Sequence, residues 1–187
     1  MCAGKTTARD ALLRLTNPRL MWKMSRRKER LIKRILVMRP DHLGDLLFAT
    51  AALQRIREAY PTAHITGLVG PWGRPMWEGN PNLDAIEVLR FPGMGGAREG
   101  GLLAPYMLLR QEATRLEGGN YDLGVALRFD HWWGAALMAA ARIPHRWGYD
   151  TPGMGEWLTN AVPYTADKHE VEQNLVLAEA MLKGMGA

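Results

Sequence analysis

Short apolar segments alternate along this chain with longer segments that have the pattern of helices. The apolar segments end at turn residues and predict five strands, Ile35–Arg39, His64–Val69, Asp84–Leu89, Tyr121–Leu127 and Arg146–Tyr149. Because they are apolar almost throughout, and not only on every second residue, both faces of the sheet should be covered by helices. The alternation therefore predicts an α/β fold, a single Rossmann-like domain built on a parallel sheet.

The intervening segments predict helices over Gly44–Tyr60, up to about Gly79, over Leu103–Glu117, over His131–Ala141 and after Asp167. The first half of the first helix is apolar nearly all round, so we expect it to be buried while the second half reaches water. Asp167 is expected to cap the final helix, because Glu170 lies three positions further on, as in a capping box. Glycine and proline predict loops over residues 91–101 and 151–159.

The positive charge of the chain is concentrated at its N-terminus. Residues 1–34 contain eleven Lys and Arg against two acidic residues, a net charge of +9, so the remainder carries −4 within a total of +5. We therefore divide the chain into a basic arm, residues 1–33, and a folded domain, residues 34–187. Leucine, methionine and tryptophan among the charges are typical of an amphipathic helix on an anionic membrane surface. A solvated leader is the alternative, and nucleic acid is not expected as a partner.

Composition excludes several classes of protein. Cys2 is the only cysteine, so neither an intrachain disulfide nor a cysteine-based zinc site can form. The longest uncharged apolar run, about residues 132–141, is well short of the roughly 20 residues that a membrane-spanning helix needs. Charged residues interrupt any signal-peptide core near the N-terminus. These observations predict a cytoplasmic protein.

The turn after the first predicted strand carries the residues best placed for chemistry. Gly44 and Asp45 open the following helix, which puts a carboxylate at the carboxyl end of a parallel strand, where open α/β sheets bind ligands. The helix dipole alone also favours an acid there, so the position leaves a structural role open. Asp41 and His42 lack an evident third metal ligand, so we expect no metal and a supporting role in the turn. Because the turn lacks the Gly-x-Gly-x-x-Gly pattern, no nicotinamide or flavin cofactor is expected.

A second polar group follows the fourth predicted strand. Arg128 and Asp130 should lie at the same edge of the sheet as Asp45, because the carboxyl ends of parallel strands meet there. Their convergence would form a polar crevice suited to a hydroxylated, anionic ligand. Trp132 and Trp133 are expected to belong to the core or to an interface, in preference to a sugar-stacking platform.

Four segments, taken in order, resemble glycosyltransferase family 9, the ADP-heptose:lipopolysaccharide heptosyltransferase family. They are ILVMRPDHLGDLLFATAAL, ITGLVGPWGRPMWEGNPNLDAIEVL, YDLGVALRFDHWWGAALMAAARIPHRWGY and HEVEQN. The resemblance covers about residues 34–183 and is carried by the order of the segments more than by any one of them. It implies the N-terminal half of a GT-B fold, in which two Rossmann-like domains face a cleft.

The resemblance also implies a function and a set of site residues. The Gly-Asp pair of the family falls on Gly44 and Asp45, which implies that Asp45 is the general base of an inverting, metal-independent transfer. We expect Gly44, His42, Arg128 and Asp130 to contact the substrate. The implied reaction moves heptose from ADP-heptose to a lipid-linked saccharide acceptor, the lipopolysaccharide core.

A complete GT-B enzyme has a second domain that holds most of the nucleotide-sugar donor. We therefore expect this chain to be the acceptor-binding half, to be inactive when isolated, and to work with a C-terminal domain or a partner chain. The basic arm would place it on the inner face of the inner membrane. The alternative function is a non-catalytic α/β binding module held at a membrane surface by that arm.

Overall fold

The computed structural model describes residues 31–94 and 103–187, and the predictions for the basic arm therefore lie almost entirely outside the described residues. One parallel sheet contains six strands: β1 (Arg34–Arg39), β2 (His64–Val69), β3 (Ala85–Val88), β4 (Leu123–Ala126), β5 (His145–Asp150) and β6 (Asn160–Pro163). Their order across the sheet is β3-β2-β1-β4-β5-β6. This order is that of a doubly wound Rossmann fold, so the predicted fold class is confirmed.

β1 is the centre of the sheet and the point where the strand order reverses. Its register places Val37 beside Gly67 of β2 on one side and beside Val125 of β4 on the other. The chain leaves β1 towards β2 and β3, and then returns to the other side of β1 through β4. The carboxyl ends of β1 and β4 therefore flank a topological switch point, where open α/β sheets form a ligand crevice.

Helices cover the sheet: α1 (Leu43–Phe48), α2 (Thr50–Ala59), α3 (Arg74–Trp77), α4 (Ala104–Gly118), α5 (Trp132–Ala140) and α6 (Glu170–Met185), with a 3₁₀ turn at Gly155–Trp157. The core on one side of the sheet joins β1, β2 and β4 to α2 and α6, with Ile35, Leu53 and Leu177 fully buried. The apolar face of α6 therefore packs beside α2, which fixes the start of α6 near the end of β1.

Several boundaries differ from the predictions for physical reasons. The helix predicted over Gly44–Tyr60 is two helices that meet at Ala49, where the Thr50 hydroxyl donates to the carbonyl of Leu47. The start of the first helix is not fully buried, since Leu47 is 54% exposed. β6 was missed because it lies at an edge of the sheet, where of its four residues only Val162 is buried.

The expected cap of the final helix was wrong. The N-cap residue of α6 is His169, and its Nδ1 accepts a hydrogen bond from the backbone N–H of Val171 at 3.3 Å. Asp167 lies two residues earlier in the exposed turn. Glu170 is consequently the first residue of the helix, not the third, and its side chain is free to point to the end of β1.

Candidate functional site

A cluster of charged side chains lies at the switch point between β1 and β4. Arg39 is the last residue of β1, and the turn that follows it carries Asp41 and leads into Asp45 on α1. Arg128 and Asp130 follow β4 on the other side of the switch point. The sequence therefore places all five residues at the carboxyl edge of the sheet, and the structure brings them together through two arginines.

Arg39 is the centre of the cluster, although its side chain is only 3% exposed. Its Nη1 donates to the carbonyl oxygen of Leu127 at 2.8 Å and to Oδ1 of Asn174 at 2.9 Å. Its Nη2 donates to Oε2 of Glu170 at 2.9 Å, and its Nε lies 2.5 Å from Oδ2 of Asp41. A buried guanidinium needs such partners because an unpaired charge in the interior is strongly destabilising. Arg39 thus ties β1, β4 and α6 together.

Asp41 is the link between the two halves of the site. Its carboxylate is 2% exposed and binds Arg39 through Oδ2 and Arg128 through Oδ1. Its backbone carbonyl also accepts a hydrogen bond from Nε1 of Trp72 at 2.6 Å. The expectation that Asp41 only supports its turn was too limited, because this carboxylate joins the end of β1 to the residue that follows β4.

Arg128 and Asp130 form the outer part of the cluster. Both Nε and Nη2 of Arg128 bind the carboxylate of Asp130, while Nη1 binds Asp41. Partial burial raises the pKa of Asp130, whereas the hydrogen bond and the charge of Arg128 lower it. The effect of Arg128 is the larger, so the pKa of Asp130 lies below its usual value. Arg128 and Asp130 are thus connected to Asp45 indirectly, through Asp41 and Arg39.

Asp45 meets this cluster through Arg39 and is far more accessible than Asp41. Its side chain is 36% exposed, and its Oδ1 lies 3.8 Å from Nη2 of Arg39. That distance is too long for a hydrogen bond, so the ion pair is a loose one. Phe48, one turn further on, packs edge-on against the ring of His169 at 4.9 Å between centroids. This contact holds the end of α1 against the start of α6, beside Asp45.

His42 and Gly44 lie on the exposed rim of the same turn. The ring of His42 lies 5.6 Å from that of Trp72, and its side chain makes no capping hydrogen bond to α1. No protein atom lies within 4 Å of the position that a Cβ on Gly44 would occupy. No neighbour and no left-handed φ therefore requires glycine here, and Gly44 is exposed.

The charges of the cluster differ from the expected anionic-ligand site. Both arginines are engaged by four carboxylates, those of Asp41, Asp45, Asp130 and Glu170. The formal charge of the group is therefore negative, and neither guanidinium is left over for an anion. The arrangement suits the hydroxyl groups of a sugar, which carboxylates can bind as acceptors.

Three residues of the site were missed from the sequence, namely Arg39, Glu170 and Asn174. Arg39 carried the clearest signal, since it is a charged residue at the carboxyl end of β1, directly after four apolar residues. Glu170 and Asn174 lie four residues apart on α6, on one face of the helix, and both bind Arg39. The pattern of α6 did not indicate that they lie near Asp45, because the contact between Glu170 and Arg39 spans 131 residues.

Two further properties concern residues 31–94 and 103–187 only. Within them, no helix has both the length and the apolar character to cross a lipid bilayer. In the same residues, no group of three or more His, Cys, Asp or Glu side chains has an arrangement that could hold a metal ion.

The strand order and the polar crevice at the switch point define an α/β domain of the doubly wound class, with a candidate site at its carboxyl edge. Among solved structures, the domain is similar to the ADP-heptose lipopolysaccharide heptosyltransferase II of Escherichia coli, with 21% identity and a TM-score of 0.65. It is also similar to a family 9 glycosyltransferase from Veillonella parvula, with 22% identity and a TM-score of 0.66. A third similar structure is the E. coli heptosyltransferase WaaC with ADP, with 18% identity and a TM-score of 0.62.

These similarities concern the fold and cover a part of each relative. The alignments include 78%, 80% and 80% of this chain, but 40%, 41% and 47% of the three matched chains. The chain thus spans less than half the length of these structures, which fits the predicted N-terminal half of a GT-B fold. No family model and no curated protein sequence matches the chain.

Proposed function

We propose that this domain is the acceptor-binding half of an inverting glycosyltransferase, in which Asp45 is the general base. The proposal rests on the exposure, the pairing and the position of the Asp45 carboxylate. This carboxylate is accessible, only loosely paired, and lies at the switch point of a domain whose fold is that of solved heptosyltransferases. Asp41, the buried acid of the cluster, is held by two arginines and is inaccessible to a substrate.

The proposed chemistry is a single displacement. An acceptor hydroxyl group hydrogen-bonds to the Asp45 carboxylate, which removes the proton as the hydroxyl oxygen attacks the anomeric carbon of the donor. The bond between that carbon and the diphosphate oxygen breaks, and the nucleoside diphosphate leaves with the electron pair. Since attack comes from the face opposite the leaving group, the anomeric configuration inverts.

The remaining residues of the crevice would bind the acceptor. Asp130 can accept hydrogen bonds from sugar hydroxyl groups at the exposed end of the cluster, and Arg128 holds it in place. His42 and the open space at Gly44 lie beside Asp45 on the rim of the crevice. We propose heptose as the transferred sugar, ADP-heptose as the donor and lipopolysaccharide core as the lipid-linked acceptor. The support is that two of the similar structures are heptosyltransferases, one of them with ADP.

The donor would be held mainly by a second Rossmann-like domain across the crevice, so the proposed activity belongs to the protein that contains both domains. The test is to incubate that protein with ADP-heptose and with heptose-deficient lipopolysaccharide. We expect release of ADP and a mass gain of one heptose in the acceptor. The NMR signal of the anomeric proton in the product should show the configuration opposite to that of the donor. Other nucleotide sugars used with equal efficiency would contradict the proposed donor, and a retained configuration would contradict the mechanism.

The basic arm would bring the domain to its lipid-linked acceptor on the inner face of the membrane, where anionic lipid attracts basic segments. Co-sedimentation with anionic vesicles, with and without residues 1–33, tests this role. Binding that is unchanged by the deletion would contradict it. The alternative of a non-catalytic module at a membrane surface rests on the same arm, of which residues 1–30 lie outside the described residues.

A further inference from the structure

Trp72 follows the carboxyl end of β2 and is held at the edge of the charged cluster. It belongs to the turn of residues 70–73, and its Nε1 donates a hydrogen bond to the backbone carbonyl of Asp41 at 2.6 Å. The Asp41 carboxylate is in turn held by Arg39 and Arg128. The indole is therefore tied, through one backbone carbonyl, to the residue that joins the two halves of the site.

The turn packs its own backbone against the indole of Trp72. Gly70 is buried, and a Cβ at that position would lie 2.6 Å from Cε2 of the indole. The backbone N–H of Gly73 donates to the carbonyl of Gly70 at 2.9 Å and closes the turn. Trp77, in the same segment, is fully buried, with its Nε1 bonded to the carbonyl of Leu46. Trp72 is instead partly exposed, so this segment places one tryptophan in the core and another at the surface of the site.

Trp72 lies beside the start of α1, the helix that carries the proposed base. The centroid of the His42 imidazole lies 5.6 Å from that of the indole, with the two ring planes 35° apart. His42 is exposed, and Asp45 follows it in the first turn of α1. The rim of the crevice thus presents two aromatic rings followed by an accessible carboxylate.

The carboxylates of the cluster can bind only part of a sugar. They accept hydrogen bonds from hydroxyl groups, whereas the C–H groups on one face of a sugar ring need an apolar surface. The face of an aromatic ring carries partial negative charge, so it attracts such C–H groups as well as covering them. An indole whose N–H is already bonded to the protein offers this surface in a position that is fixed before a ligand binds.

We propose that Trp72 is a specificity-determining residue that packs against a sugar ring of the saccharide acceptor while the reacting hydroxyl group lies at Asp45. This inference rests on the proposed function. The hydrogen bond from Trp72 to Asp41 fixes the indole relative to the charged cluster. Loss of the indole should therefore weaken the binding of the acceptor and not that of the nucleotide sugar, whose proposed site is in the second domain.

The test is the steady-state kinetics of heptosyl transfer by the protein that contains this domain, with Trp72→Leu compared with wild type. Leucine keeps an apolar side chain but removes the flat ring and the N–H donor. We expect the KM of heptose-deficient lipopolysaccharide to rise about tenfold, the loss of one favourable aromatic contact of about 1.4 kcal/mol. The KM of ADP-heptose should stay within about twofold of wild type, because only acceptor binding is removed.

Two variants separate contact with the sugar from the structure of the turn. Trp72→Phe retains an aromatic face but lacks the N–H, so its acceptor KM should lie closer to wild type than that of Trp72→Leu does. Trp132→Leu makes the same change at another partly exposed tryptophan, at the start of α5, and should leave both KM values unchanged. Urea unfolding of all three variants is measured in parallel, since a purely structural role lowers the midpoint and affects both substrates alike.

The indole N–H of Trp72 provides a direct measurement on the wild-type protein. Its NMR signal, identified by its absence in Trp72→Phe, should shift when the deacylated saccharide of heptose-deficient lipopolysaccharide is added. The indole signal of Trp132, identified in the same way from Trp132→Leu, should stay in place. This titration decides the proposal if Trp72→Leu is poorly folded.

An acceptor KM in Trp72→Leu equal to that of wild type would overturn the proposal, as would an equal rise in Trp132→Leu. Equal increases in the KM of donor and acceptor would assign Trp72 to the structure of the turn and would also overturn it. An indole signal of Trp72 that the saccharide leaves unmoved has the same consequence. A wild-type protein that transfers no heptose would refute the proposed function, whereas wild-type transfer that Trp72→Leu leaves unchanged would refute this inference alone.

Discussion

Replacing Arg39 with methionine should remove a large part of the stability of the domain. Methionine replaces the aliphatic part of the side chain but removes every donor, while the acidic partners stay in place. Asp41, 2% exposed, then keeps only Arg128, and the carbonyl of Leu127 and the amide oxygen of Asn174 lose their donor. Removing one partner of a buried ion pair typically costs 3–5 kcal/mol, so we expect the free energy of unfolding to fall by about 4 kcal/mol.

Urea unfolding of the 187-residue chain, followed by far-UV circular dichroism, measures this loss. The midpoint should fall with the slope unchanged, since the surface exposed on unfolding is nearly the same. For a domain of this size, 4 kcal/mol corresponds to a fall in Tm of roughly 8–16 °C. Arg55→Met is the matched control, because Arg55 of α2 binds Glu58 on the same helix and Glu179 on α6, and all three side chains are exposed.

We expect Arg55→Met to unfold close to the wild-type midpoint, because exposed ion pairs contribute little. A loss below about 1 kcal/mol for Arg39→Met would refute the central place of Arg39, since even one unsatisfied buried acceptor costs about that much. An equal loss for Arg55→Met would show that the effect does not come from burial.

Two further changes test the packing and the titration of the domain. Burial lowers the pKa of His131 from its ordinary value of 6.5 to about 4 in the folded domain. The stability that depends on neutral His131 is therefore complete above pH 6.5 and is lost as the pH falls to 4. Urea unfolding between pH 7 and pH 4 should show a loss of about 3 kcal/mol from this group. His131→Asn keeps an acceptor for the N–H of Gly134 but cannot take up a proton, so this loss should be absent. An equal pH dependence of the stability of both proteins would contradict the role of His131. Gly184→Ala should destabilise α6 by about 1–3 kcal/mol, because its methyl group would overlap the ring of Trp147, whereas Gly118→Ala has open space and should not. A Gly184→Ala variant as stable as wild type by the same measurement would show that the ring moves aside freely.

The sequence was sufficient for the fold because the strands are continuous apolar runs. The residues of β1, β2 and β4 are almost all buried, and such runs between turns are easily recognised. β6 could not be found in this way, since it pairs with β5 on one side only and most of its side chains are exposed. The break between α1 and α2 at Ala49 was also missed, because no Gly or Pro marks it.

The site was predicted only in part because its pairs are long-range. Arg128 and Asp130 are two residues apart, and their ion pair follows from local geometry. By contrast, the contact between Arg39 and Glu170 spans 131 residues and depends on how α6 packs beside the central strand. The sequence pattern predicts that α6 is a helix, but not which of its polar residues faces the end of β1.

The role of Asp45 as the base is tested most directly by the turnover of Asp45→Asn at saturating ADP-heptose and acceptor, in the protein that contains this domain. General base catalysis contributes typically 10²–10⁴-fold, so we expect kcat to fall by at least about 100-fold while acceptor binding and the unfolding midpoint are retained. Asp167→Asn, the same change at an exposed acid before α6, should keep wild-type turnover. An Asp45→Asn enzyme that retains wild-type kcat would contradict the assignment of Asp45 as the base.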